Sequence, residues 1–161
     1  MPETRTRKSG DIDFRLSFFL NREGTDMNVL FTSCKKVRTS KYATNDVLYY
    51  EDTDPSGLYF LREGIVKLIK KGEAGNETTH SVVTADCYLG LCSMIRNKKH
   101  TATAVALEDA LIDYIPKNEF FRLMARYPST SHKILVVLCR LLDDAEDEII
   151  ALTDKSIKVR Q

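Results

Sequence analysis

The stretch DCYLGLCSMIRNKKHTATAVA, from Asp86 to Ala106, is the part of this chain whose residue types and spacing say most about its chemistry. Its layout is that of a loop that cradles an anion. Gly90 opens it, the apolar run of Leu91, Cys92, Ser93 and Met94 follows, and His100, Thr101 and Ala102 lead into a small-residue strand. Backbone N–H groups at the start of a short helix offer donors and the favourable end of a dipole to a negative charge. The side chains nearby add less. An unperturbed histidine is mostly neutral at pH 7 and is a weak partner for an anion. Arg96, Lys98 and Lys99 are stronger partners by charge and could substitute, although their plainer reading is an exposed basic turn.

Other chemistries find little support. Cys34, Cys87, Cys92 and Cys139 form no CxxC pair, and no histidine sits at ligand spacing from Cys87 and Cys92. A zinc or iron–sulfur site is not expected, and four reduced, mostly buried thiols fit a cytoplasmic protein. Redox sensing through Cys87, Cys92 or Cys34 is a further reading of the same residues. His80, His100 and His132 are scattered, and no Ser/His/Asp or Cys/His set appears. A cupin-like enzyme would need a His/Glu metal cluster on adjacent strands, for which His80 and His100 alone do not suffice. The chain is expected not to be an enzyme and to hold no metal.

Composition bounds the remaining options. The 161 residues carry 24 Lys and Arg against 23 Asp and Glu, a net charge of +1, with 43% hydrophobic residues. That supports one domain with a modest appendage. It disfavours nucleic-acid binding by these residues, because phosphate contacts need clustered positive charge. No apolar run reaches the length of a membrane span, and MPETRTRKSG has no secretory h-region.

The elements that must position the Asp86–Ala106 stretch change period along the chain. Residues 1–25 read as a polar tail and a short helix carrying Phe14, Phe18 and Phe19, capped by Asp11 or Asp13. A second helical turn is expected over Asp26–Thr32. From there to residue 128, short apolar runs alternate with turn signals every eight to twelve residues, which predicts an all-β body. The expected strands are Cys34–Arg38, Asp46–Glu51, Leu58–Arg62, Ile65–Lys71, His80–Thr84, Ala102–Leu107 and Leu111–Pro116. Gly64 in the turn REG can supply a positive φ. PKNEFFRLMARYP predicts a short helix with Asn118 as its cap, stopped by Pro128.

Residues 129–161 contain no Gly or Pro, and Leu135, Leu138, Leu142, Ala145, Ile149 and Leu152 follow a 3,4,3,4,3 spacing. That is an a/d seam and predicts a helix of about 25 residues whose apolar stripe needs a second copy of the chain. The acidic run Asp143, Asp144, Glu146, Asp147 and Glu148 lies off the seam. It reads as a solvated face, or as a source of Asp143 or Glu146 for a neighbouring pocket.

This order of elements, with DTDPSGLYFLREGIVKL (Asp52–Leu68), DCYLGL…HTATAVALED and AEDEIIALTDKSIKVRQ, resembles the sensor domain of the bacterial Crp/Fnr family, the cyclic-AMP receptor type of transcription regulator. The resemblance covers about Asp26 to Gln161. It implies a double-stranded β-helix or jelly roll, a cyclic-nucleotide-binding-like β-roll with flanking helices, followed by a long dimerisation helix. In the family a winged helix-turn-helix follows the hinge, so DNA would be read by a domain that residues 1–161 do not contain. The chain reads as part of such a regulator or as a stand-alone sensor.

By the same resemblance, Gly90 matches the cassette glycine, while Leu91 replaces the glutamate that accepts from a ribose hydroxyl. His100 replaces the arginine that grips the cyclic phosphate, Thr101 keeps the hydroxyl and Ala102 the small residue. Ala145 and Glu146 fall where the long helix meets an adenine edge. Two lost contacts at about 1.5–3 kcal/mol each would weaken binding roughly a hundred-fold to ten-thousand-fold. A sensor for another small effector, or for none, is therefore expected. Two alternatives remain: a weak or atypical cyclic-nucleotide binder, and a dimeric interaction module whose pocket Leu89, Leu91 and Met94 fill.

Overall fold

Turn residues set the strand breaks, and the breaks set the fold. The computed structural model describes residues 34–159. The expected helix around Phe14 and the turn at 26–32 lie outside the described residues. Among the described residues there are eight strands: β1 Arg38–Tyr42, β2 Val47–Tyr49, β3 Gly57–Glu63, β4 Ile65–Lys71, β5 Glu77–Thr84, β6 Cys87–Leu89, β7 Thr103–Ala106 and β8 Ala110–Pro116. Three helices complete the description: α1 Leu91–Ile95, α2 Lys117–Arg126 and α3 Pro128–Val159.

The strands form two four-stranded antiparallel sheets, β1-β8-β3-β6 and β2-β7-β4-β5. The chain passes between them at Gly64, where φ is 97° and a Cβ would lie 2.5 Å from the carbonyl oxygen of Asp109. Only glycine tolerates that backbone beside so close a neighbour. The result is the expected β-roll: mainly antiparallel sheet with flanking helices.

Alternation explains most of the packing. Val66, Leu68 and Val83 point inward from one sheet and meet Tyr59, Leu61, Cys87, Leu89 and Ile112 from the other. Ala102, Ala104 and Ala110 join this cluster and bring the backbones close together. The central strand β3 is apolar on both faces. Leu58 and Phe60 turn the other way, toward a second cluster with Tyr88, Leu91, Met94, Ile115, Phe120, Leu123 and Ile134. A strand covered on both faces loses its polar alternation, which is why LYFL reads as continuously apolar.

Three local expectations need correction. The first strand lies at Arg38–Tyr42 and not Cys34–Arg38, because its pairing partner β8 ends the register at Arg38↔Tyr114. The strand β6 was not expected at all. It has three residues, too few to show a period, and exists because it pairs with Tyr59–Leu61 of β3. Asn118 is not the cap of α2: Pro116 holds that position, and Asn118 Oδ1 accepts from the N–H of the next residue, Glu119, at 2.8 Å.

Pro128 does separate α2 from α3. Tyr127 has φ −120° and ψ 79°, outside the helical region, and Pro128 is the first residue of the next helix, where its missing N–H costs nothing. At 32 residues α3 is about 48 Å long at 1.5 Å per residue. Its near end is tied to the body through buried Ile134 and half-buried Leu138. Farther along, Leu142, Ile149 and Leu152 are exposed. Among the described residues, no helix is long and apolar enough to cross a membrane.

Candidate functional site

The cassette is built where β6 meets α1. Gly90 takes the left-handed conformation, φ 80° and ψ 7°, and serves as the cap residue of α1 with no side-chain hydrogen bond. The N–H of Met94 closes the first turn on the Gly90 carbonyl at 3.0 Å. The helix is short because Asn97 also turns left-handed, φ 51°, and its Oδ1 accepts from Lys117 Nζ on α2.

Leu91, the first residue of α1, is 2% exposed and packs in the second cluster with Met94, Phe120 and Ile134. It is a core residue of that cluster. Cys92 and Ser93 are half-buried and Arg96, Lys98 and Lys99 exposed. Leu89, by contrast, belongs to the cluster between the sheets.

His100 is 3% exposed. Its imidazole stacks on Tyr49 with ring centroids 3.8 Å apart and planes 16° from parallel. Tyr49 in turn tilts against Tyr59 at 5.5 Å, and Tyr59 against Tyr114 at 5.0 Å. Two backbone bonds fix residue 100 in place: its N–H donates to the Thr53 carbonyl, and the Asp52 N–H donates to its own carbonyl, both at 2.9 Å. Burial lowers the proton affinity of the ring below that of an ordinary histidine, so the side chain is neutral at pH 7. A Cβ on Gly90 would meet His100 Cε1 at 3.0 Å and Nδ1 at 3.7 Å. The imidazole therefore lies directly over the glycine.

Thr101 is exposed and Ala102 buried. The hydroxyl that bonds to backbone here belongs to Thr103, whose Oγ1 accepts from the Glu51 N–H at 2.9 Å. Sequence reasoning missed both Tyr49 and Thr103. Their only signal was membership of two strands, and their meeting with the cassette depends on the pairing of β2 with β7.

On α3, Leu135, Leu142, Ile149 and Leu152 are exposed, at 59%, 65%, 63% and 62%, while Leu138 packs against the body. Glu146 is exposed, and the side chain of Ala145 lies outside the described residues. Cys34 and Cys87 are buried, Cys92 half-buried and Cys139 exposed. His80 sits half-buried on the edge strand β5. Among the described residues, no three His, Cys, Asp or Glu side chains converge as a metal site.

The β-roll carries a glycine-led turn and a short helix between its sixth and seventh strands. Residues 39–127 match the cyclic nucleotide-binding domain family, and the chain belongs to that family. Among curated proteins, the cyclic AMP receptor protein of Thermus thermophilus is 24% identical over 119 residues. That match covers 74% of this chain and 55% of the relative, so the chain spans about half the length of the curated relative it matches.

Among solved structures, the Thermus thermophilus catabolite activator protein superposes with a TM-score of 0.68 at 22% identity, covering 86% of this chain and 63% of that one. A cyclic nucleotide-binding domain from Methylobacillus flagellatus gives 0.66 at 21% identity, covering 86% and 80%. The homologues are of the Crp/Fnr type.

Proposed function

We propose that this chain is the effector-sensing regulatory domain of a bacterial Crp/Fnr-type transcription regulator, cytoplasmic, non-enzymatic and homodimeric, and that it does not bind cyclic AMP in the standard way. Leu91 carries the reading. A residue in the position of a ribose-binding carboxylate is instead 2% exposed inside an apolar cluster. It cannot accept a hydrogen bond, and replacing it by a carboxylate would bury an unpaired charge. His100 supports the same reading, since a neutral ring stacked on Tyr49 offers no permanent charge to a phosphate.

The division of the chain follows from these roles. Residues 26–128 form the sensing body, preceded by the segment 1–25, and residues 129–161 form the dimer helix and hinge. Ile134 of α3 shares a cluster with Leu91 and Met94 of the cassette, so a change in the cassette would be felt at the root of the dimer helix. The exposed Leu142, Ile149 and Leu152 supply the seam for a second copy. DNA contact is assigned to a separate winged-helix domain of the same regulator.

Calorimetry with cyclic AMP and cyclic GMP at pH 7 tests the effector assignment. The expected outcome is no binding tighter than about millimolar, from the loss of two charge-assisted contacts; micromolar binding would overturn it. Light scattering after size exclusion tests the seam, with a dimer expected and a monomer at high concentration counting against it.

A further inference from the structure

We propose that α3 carries a second docking face, apart from the seam of Leu142, Ile149 and Leu152: the exposed Ile150 and Ile157, framed by Asp143, Glu146, Asp147 and Asp154, bind a basic amphipathic helix of a partner protein. The proposal does not depend on the effector reading, and it concerns residues that the seam leaves unused.

Three observations carry it. The first is direction. At 3.6 residues per turn, each residue turns the helix by about 100°. Leu142 and Leu152 therefore lie within about 60° of Ile149, whereas Ile150 and Ile157 lie about 100° and 80° round from it, on the side away from Leu152. A two-stranded seam uses two positions in seven and does not cover this side. Ile150 and Ile157 are 58% and 55% exposed. A single exposed apolar side chain is ordinary, but two isoleucines seven residues apart on one side of a helix make a row.

The second observation is charge. Asp143, Glu146, Asp147 and Asp154 fall on the same side as the two isoleucines, within an arc of about 100°, and all four are exposed. Lys155, the one cation in the sequence between residues 143 and 157, lies on the far side of the helix. The third is that the helix does not compensate these charges itself. Glu146 and Asp147 have no lysine or arginine three or four residues away in either direction. Each instead has Asp143 at that spacing, and like charges so placed repel. Cations brought by a partner relieve that repulsion.

This chemistry selects the occupant. Four carboxylates repel nucleic acid and anionic lipid headgroups. A plain polycation would meet the carboxylates and leave the isoleucines in water. A helix with large apolar residues on one side and Lys or Arg beside them meets both, with its apolar side chains spaced to follow the row.

Fluorescence anisotropy with the whole chain tests the face. The probe is a labelled helical peptide of about 18 residues with leucines along one side and lysines elsewhere, and its companion has serines in place of the leucines. The leucine peptide should bind, and the serine peptide at least about tenfold more weakly. Ile150→Gln combined with Ile157→Gln should weaken the leucine peptide by about tenfold or more, with the mass in light scattering unchanged. Asp143→Asn combined with Asp147→Asn should weaken it severalfold at low salt and flatten its salt dependence.

No binding of the leucine peptide, or equal binding to wild type and to the double isoleucine variant, would overturn the proposal. So would a lower mass for that variant, which would give the row to a second copy of the chain. Removal of residues 1–25 that by itself shifts the amide NMR signals of Ile150 and Ile157 would give the row to the chain's own first segment, and would overturn it too.

Discussion

The cluster between the sheets mixes small side chains with large ones, whereas the cluster beneath the helices is built almost entirely from large ones. Between the sheets, Val66, Val83, Ala102, Ala104 and Ala110 are small or β-branched. They let two twisted sheets approach, and all but Ala102, which precedes β7, come from strands whose alternation fixes their direction. Beneath the helices, Leu58, Leu91, Met94, Phe120, Leu123 and Ile134 are large. They fill a wedge between one sheet and three helices, and no local period dictates that they meet. The difference shows what has become of the cassette. Its first helical residue belongs to the wedge, so this turn contributes to the packing of the helical side.

Leu91→Glu breaks this comparison most directly. Burying an unpaired carboxylate should cost about 3–5 kcal/mol, read as a lower midpoint in urea unfolding. A loss under about 1 kcal/mol would mean that Leu91 borders open water and that the cassette is not part of the core. Leu68→Ala supplies the reference from the other cluster. Leu68 is 2% exposed, and a leucine cavity there should cost about 2–5 kcal/mol.

Asp113→Ala probes the outer face of the first sheet. Asp113 is fully buried and accepts from Thr39 Oγ1 at 2.6 Å and from Arg62 Nε. Arg62 is itself 48% exposed, so losing the carboxylate returns it to water and does not strand it. The expected cost is therefore about 1–3 kcal/mol, below that of a buried charge left alone. Leu142→Lys should be smallest for the body. The side chain is 65% exposed, and unfolding of the body should change by no more than about 0.5 kcal/mol. If the proposed dimer forms through this seam, the same variant should shift the chain toward monomer in light scattering, which separates the two halves of α3.

How legible was this in the sequence? The β body was, because period and turn chemistry are local: Ile65–Lys71 lies where its apolar run ends at the turn beginning with Gly72, and Gly64 takes the positive φ its turn requires. The short strand β6 was not, since three residues carry no period and pairing with β3 alone makes them a strand. For the cassette, the positions of Gly90, Leu91 and His100 were legible as departures from a resemblance. Their consequences were not. Nothing in the spacing of Tyr49 and His100 says that the rings stack, because they sit 51 residues apart and meet only through the fold.

The sequence by itself determined the class: antiparallel strands, a glycine-led turn, and a long helix with an apolar seam. These follow from backbone propensity and side-chain period, which act over a few residues. Tertiary structure alone decided that Leu91 faces the core and that His100 covers Gly90. Both outcomes depend on which distant side chains compete for the same volume, and that competition exists only once the sheets have closed.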